Sequence, residues 1–105
     1  MSKKLRREVG QRAGWRCDAC GRPVPEEVGQ AHHRKLRSRG GGDSLANLMW
    51  VCGACHGWIH GNPALATTAG WMVPSWGDPG GFSVKRYDGE RYMPGADWTR
   101  QKETR

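Results

Sequence analysis

The chain has 105 residues, a mass of 11.7 kDa and a formal net charge of +7, which is room for one domain and one small core. Leu, Ile, Val and Phe number only 13, while Gly and Pro number 22, so aliphatic burial alone does not hold such a charged chain together. No run of 18 apolar residues exists to form a membrane span, the basic start at residues 1–7 leads into no apolar signal core, and the length leaves little room for an enclosed dinucleotide or haem pocket.

Residues 3–14 place Leu5, Val9 and Ala13 on one helical face among Arg and Lys, which predicts a short helix ended by Gly14 and Trp15. A Cys-x-x-Cys knuckle follows at 17–20, and Pro23, Pro25, Glu26 and Glu27 read as a loop. Weak alternation predicts a strand over 28–36. Residues 38–44, with three successive glycines, read as a flexible turn, and Asp43 or Ser44 can cap a helical turn through Asn47. The apolar run 48–51 leads into the second knuckle at 52–55. A helix is expected from Gly53 or Ala54 to His60, stopped by Gly61. Asn62 and Pro63 then suit the N-cap and first position of a helix over about 63–69, ending at Gly70. Residues 71–73 read as a strand and 77–81 as a turn. Asp88-Gly89 between 82–87 and 90–93 is the strongest hairpin signal. The last dozen residues are polar and are expected to fray.

Two features compensate for the thin core. Six tryptophans each bring a large area to bury; Trp50 and Trp58 read as core side chains, whereas Trp71 and Trp76 suit either core or base stacking. Cys17, Cys20, Cys52 and Cys55 form two matched pairs, the pattern of a tetrahedral zinc site. Two intervening residues aim both sulfurs of a knuckle at one ion, with Gly21 and Gly53 supplying a permissive backbone. Ligation of roughly 10–16 kcal/mol is folding energy in such domains. Disulfides fit poorly without an export signal, and a redox dithiol lacks its βαβ unit. The 31 residues between the pairs exceed ordinary ribbon spacing, so an insertion between the knuckles is expected to carry the chemistry.

All of the excess charge lies in residues 1–40, which hold 11 basic and 4 acidic residues. One cluster is Lys3, Lys4, Arg6, Arg7, Arg12 and Arg16; the other is Arg34, Lys35, Arg37 and Arg39. Such one-sided charge suits a polyanion, nucleic acid by default; a merely solvated face is the alternative. The four histidines all lie in 32–60. His32 and His33 fall on the predicted strand. His56 and His60 are four apart on the predicted helix, so both rings project from one face and can hold a divalent ion. One strand and two helix imidazoles plus open positions describe a catalytic metal site, and a fourth, unligated imidazole suits a general base. Blander roles stay open: His56 replacing a cysteine at zinc, His60 capping its helix, His32 as a buried neutral ring, Asn47 as a turn former. Neighbouring residues on a regular strand face opposite ways, so His32 and His33 share a site only if the strand bends or ends there.

The run Ala31-His-His-Arg34, then Gly41-Gly-Asp-Ser-Leu-Ala-Asn47-Leu, then Cys52-Gly-Ala-Cys-His56 and His60 resembles the HNH (His-Me finger, ββα-metal) endonucleases, over residues 17–60. The segment after Asn62 more loosely resembles the extension of small phage and actinobacterial HNH proteins. The resemblance implies a small α+β fold: a ββα-metal core stapled by a four-cysteine zinc site, with an N-terminal helix and a C-terminal β-hairpin. The expected divisions are a basic helix at 1–16, a nuclease core at 17–61, a helix and hairpin extension at 62–96 and a polar tail at 97–105. It implies His33 as the general base, His32, His56 and His60 as ligands of a catalytic Mg²⁺, Mn²⁺, Ni²⁺ or Zn²⁺, and the four cysteines as structural Zn²⁺ ligands. Asn47 is expected to brace the loop and, through its carbonyl, orient the base; Arg34, Arg37 and Arg39 are candidate phosphate clamps. The implied activity is hydrolysis of DNA phosphodiester bonds with low sequence specificity, by nicking or double-strand cleavage, in a monomer or weak dimer. The expected setting is the cytoplasm of a bacterial host, without membrane attachment, with a phage terminase or packaging protein as a further candidate partner. A zinc-ribbon DNA-binding or packaging accessory protein without catalysis is the competing expectation.

Overall fold

A computed structural model describes residues 1–101. Helix α1 (Lys3–Arg12) starts on Ser2, whose hydroxyl accepts the Leu5 N–H, and its buried face carries Val9. A long loop then holds the first cysteine knuckle. Strand β1 (Gln30–His33) pairs antiparallel with β2 (Leu48–Val51), Gln30 opposite Val51 and His33 opposite Leu48. Helix α2 (Gly53–Gly61) begins on Cys52, and α3 (Pro63–Ala69) follows at once. A second antiparallel sheet closes the chain, ordered β3 (Val84–Lys85), β4 (Arg91–Met93), β5 (Thr99–Arg100). Three 3₁₀ turns lie at Arg37–Arg39, Leu45–Asn47 and Pro79–Gly81. The fold is α+β, with β1, β2 and α2 forming a ββα unit, and among the described residues no helix is long and apolar enough to cross a membrane.

Strand β2 is the centre of the core. All four of its residues are buried, where Met49 and Trp50 join Val9 and Ile59. The Trp50 indole donates to the Val24 carbonyl at 2.9 Å, and Trp15 packs edge-on against it with centroids 5.5 Å apart. Polar struts supply what the aliphatic residues do not. Arg12 donates to the carbonyls of Leu45, Leu48 and Gly95 while stacking on Trp98. Arg34 is completely buried and donates to four carbonyls, those of Gly70, Ala46, Pro79 and Phe82, at 2.7–3.0 Å. Burial lowers both guanidinium pKa values to about 10, which leaves them charged at neutral pH. Asp18, inside the first knuckle and fully buried, accepts from the Trp50 N–H and from Arg86, so the second sheet is tied to the knuckle.

Several expectations are corrected. The strand predicted over 28–36 is only Gln30–His33, because the Arg34 N–H turns to the Asn47 carbonyl and Lys35 begins the loop that Asn47 ties. Residues 71–73 form no strand: the Trp71 and Met72 N–H groups close the end of α3 on Ala66, and Val73 bonds singly to Arg34. Asn62 does not cap α3 through its side chain, which donates instead to the Trp58 carbonyl. The hairpin expected at Asp88-Gly89 does form, closed by the Gly89 N–H on the Arg86 carbonyl and the Arg86 N–H on the Glu90 carbonyl, but its strands are shorter than expected, Val84–Lys85 and Arg91–Met93. The polar end is partly sheet, since Met93 pairs with Thr99; residues 102–105 of the expected tail lie outside the described residues. Trp58 is not core but 41% exposed. Gly53 needs no unusual φ, whereas Gly21 adopts φ +79°, and a Cβ there would strike the Tyr87 ring.

Candidate active site

The two knuckles bring four sulfurs together. Cys17 and Cys20 flank a turn closed by the Gly21 N–H on the Cys17 carbonyl, while Cys52 and Cys55 occupy the N-cap and first turn of α2. Backbone N–H groups of Cys20 and Cys55 point at Cys17 Sγ (3.5 Å) and Cys52 Sγ (3.4 Å), which stabilises thiolate charge. All four Sγ atoms lie within 4.8 Å of one another, and Cys20 and Cys52 are 3.9 Å apart. Sulfurs about 2.3 Å from a tetrahedral zinc lie about 3.8 Å apart. The donor set and its spacing therefore fit a metal ion such as zinc.

A second cluster joins His32, His56 and His60, whose nearest ring nitrogens also lie within 4.8 Å of one another. The i, i+4 spacing on α2 sets the Nε2 atoms of His56 and His60 3.2 Å apart, and β1 brings His32 across, its ring centroid 5.4 and 5.6 Å from theirs. Nitrogens about 2.0–2.1 Å from a shared ion are spaced about this far apart. His32 is almost wholly buried, and burial pushes its pKa down to about 4, holding it neutral as a ligand requires. Its Nε2 lies 2.8 Å from the Trp71 carbonyl. A carbonyl only accepts, so Nε2 carries the proton and Nδ1 keeps a lone pair for an ion. Burial and the neighbouring His60 also lower the His56 pKa.

His33, next on the strand, is the one histidine outside that cluster. Its Nε2 lies 2.7 Å from Asp43 Oδ1, and both oxygens of that carboxylate accept from Arg37 Nη2 at 2.9 Å. Hydrogen bonds from His33 and then Arg37 hold Asp43 far below the usual carboxylate range. Nε2–H therefore donates to Asp43 and Nδ1 is the basic nitrogen; the Arg37 Nε at 3.5 Å from Nε2 is too distant to compete.

Asn47 makes no side-chain hydrogen bond to His33. Its Oδ1 accepts from the Lys35 N–H at 2.7 Å, and its Nδ2 donates to the carbonyls of Lys35 and Gly42, tying the two ends of the 35–42 loop. Gly41 passes so close that a Cβ there would lie 1.7 Å from the Lys35 oxygen. The loop so braced carries Arg37 at its start and leads into Asp43. Arg34, expected at a phosphate, is instead spent on four internal carbonyls with no surface exposure. Arg37 and Arg39 are on the surface. Two participants escaped sequence reasoning. Asp43 read as a possible helix cap, and its contact with His33 depends on how the glycine loop folds back. The Trp71 carbonyl is backbone and leaves no residue-type signal.

With this geometry in view, residues 17–61 match the family model described as HNH endonuclease. The matched span takes in the two knuckles, β1, β2 and α2. No curated protein and no solved structure matches the chain.

Proposed function

We propose that this protein is a metal-dependent endonuclease hydrolysing DNA phosphodiester bonds with low sequence specificity, and that the four-cysteine site holds structural zinc. The carrying observation is a three-imidazole cluster separate from a complete set of four thiols, with His33 the next residue after His32 on β1. A divalent cation held by His32, His56 and His60 would supply charge neutralisation at the phosphate and at the leaving oxygen. His33 accepts a proton at Nδ1 from the attacking water as the water oxygen bonds to phosphorus and the bond to the leaving oxygen breaks. Asp43 holds His33 in the required tautomer, Asn47 holds the loop that delivers Asp43, and Trp71 does the same service for His32 through its carbonyl. Arg37 and Arg39 remain as phosphate contacts; a guanidinium already paired with Asp43 can turn one face to a phosphate without leaving its carboxylate. One such centre per chain cuts one strand at a time.

The test is supercoiled-plasmid nicking with Mg²⁺, Mn²⁺ or Ni²⁺. His33→Ala should lower the rate by roughly 10²–10⁴-fold, the usual worth of a general base, with melting and zinc content unchanged. Asp43→Ala should lower the turnover number with little change in KM; a faster Asp43→Ala enzyme would mean that Asp43 blocks His33 instead. A wild-type protein that binds DNA under every metal but never cuts it would establish a binding module.

A further inference from the structure

A groove of about 450 Å³ opens between α2, α3 and the β3–β4 loop, walled by Trp58, Leu65, Trp71, Lys85 and Tyr87. Trp58, Leu65 and Tyr87 are 41%, 61% and 44% exposed, half of the exposed large apolar side chains among the described residues. Their exposure is not a packing accident of a frayed end. Trp58 and Trp71 pack edge to face with centroids 5.8 Å apart, the Trp71 indole donates to the Lys85 carbonyl at 2.7 Å, and Tyr87 lies against the Gly21 turn of the first knuckle. No carboxylate lines the groove. Its other cation, Arg86, is committed to Asp18, which leaves Lys85 as the charge facing outward.

The groove is joined to the histidine cluster through two elements. Trp71 presents its ring to the groove and its carbonyl to His32. Helix α2 carries His56 and His60 on one face and Trp58, midway between them in sequence, on the other. The two sites are thus separated by about one helix diameter, roughly 10–12 Å. Flat aromatic faces with an adjacent cation and no carboxylate in the lining, the nearby Asp88 being bonded to the Tyr92 hydroxyl and Asp18 to Arg86, suit a flat, anionic polymer unit rather than a lipid chain or an acidic-and-apolar protein surface.

We propose that this groove binds an unpaired segment of the DNA strand, stacking a base on Trp58 and Tyr87 and setting a neighbouring phosphate at Lys85, so that the enzyme is directed to frayed, gapped or flapped DNA. The assignment deepens the nuclease function and rests on it. Stacking on aromatic side chains tolerates any base, in keeping with low sequence specificity.

The experiment measures fluorescence anisotropy of a labelled short oligothymidylate and of the same strand with consecutive abasic positions, without added divalent ion. Wild type should prefer the strand with bases by on the order of 10-fold or more. Trp58→Ala should erase that preference, and Trp58→Phe should restore most of it with the same zinc content. Lys85→Gln should weaken both strands and reduce the salt slope by about 0.7. Equal binding of both strands by wild type, or a preference that survives Trp58→Ala, overturns the assignment. A concentration-dependent dimer abolished by Trp58→Ala, with no preference for bases, overturns it too and gives the groove to a second copy. Plasmid nicking without the base preference sinks the groove alone, whereas the base preference without any nicking sinks the nuclease function.

Discussion

The cysteine and histidine clusters share helix α2 but are built for opposite ends. The thiols are four, drawn from two short knuckles, with Cys17 and Cys52 buried; a tetrahedral ion would be closed off by them. The imidazoles are three, one short of a tetrahedral set, and are graded from buried His32 through His56 to exposed His60. A closed donor set returns its binding energy as folding energy, while an open set keeps positions for water and substrate. The asymmetry extends outward. The knuckle is anchored by buried Asp18 on Trp50 and Arg86, whereas His33 is anchored by Asp43 at the surface.

Mutation can break this contrast at either cluster. The largest effect belongs to the thiols. Cys17→Ser should abolish tight zinc binding and remove most of a term of roughly 10 kcal/mol, so that no cooperative melt survives by circular dichroism and elemental analysis finds little zinc. A Cys17→Ser protein that melts like wild type would erase the distinction. Next comes acid. His32 has its pKa depressed by burial to about 4, so its contribution is fully present above the unfolded value near 6.5 and is lost as pH falls toward 4. Between neutral pH and pH 5 that amounts to about 2 kcal/mol, measurable by urea melts with zinc content followed in parallel; His32→Asn, which can still donate to the Trp71 carbonyl, should flatten that limb. The smallest effect on stability is His60→Ala, an exposed position where a change within about 0.5 kcal/mol is expected. The same variant should weaken binding of the divalent cation proposed at this cluster by on the order of 10-fold or more, since even outer partners of a ligand are worth that much. Loss of folding in His60→Ala would make the second cluster structural as well.

Much of the site was legible because its pieces are local. Two residues between cysteines make a knuckle, and three residues between helical histidines make a shared face, whatever the rest of the chain does. The helix starts at Gly53 and Pro63 and the stop at Gly70 are likewise written in neighbouring residues. The basic residues were less legible. Arg34 and Arg37 sit three apart in one cationic run, yet Arg34 is an internal strut for the carbonyls around Gly70 and Phe82, and Arg37 is a surface partner of Asp43. With so few aliphatic residues, the fold uses planar guanidinium donors to satisfy loop carbonyls that would otherwise be buried unpaired. A count of charge cannot separate those roles. Trp50 and Trp58 show the same limit, one wholly buried against Trp15 and the other lining a groove.

From the sequence alone came the donor sets, the elements that carry them and the shortage of aliphatic core, since spacing along a short helix or turn restricts where a side chain can point. Tertiary structure alone decided which nitrogen of His32 and His33 carries the proton, because the deciding acceptors, the Trp71 carbonyl and Asp43, arrive from distant or looped segments. It also decided which cations face solvent, because burial of a guanidinium depends on the carbonyls that several separate turns bring to one point.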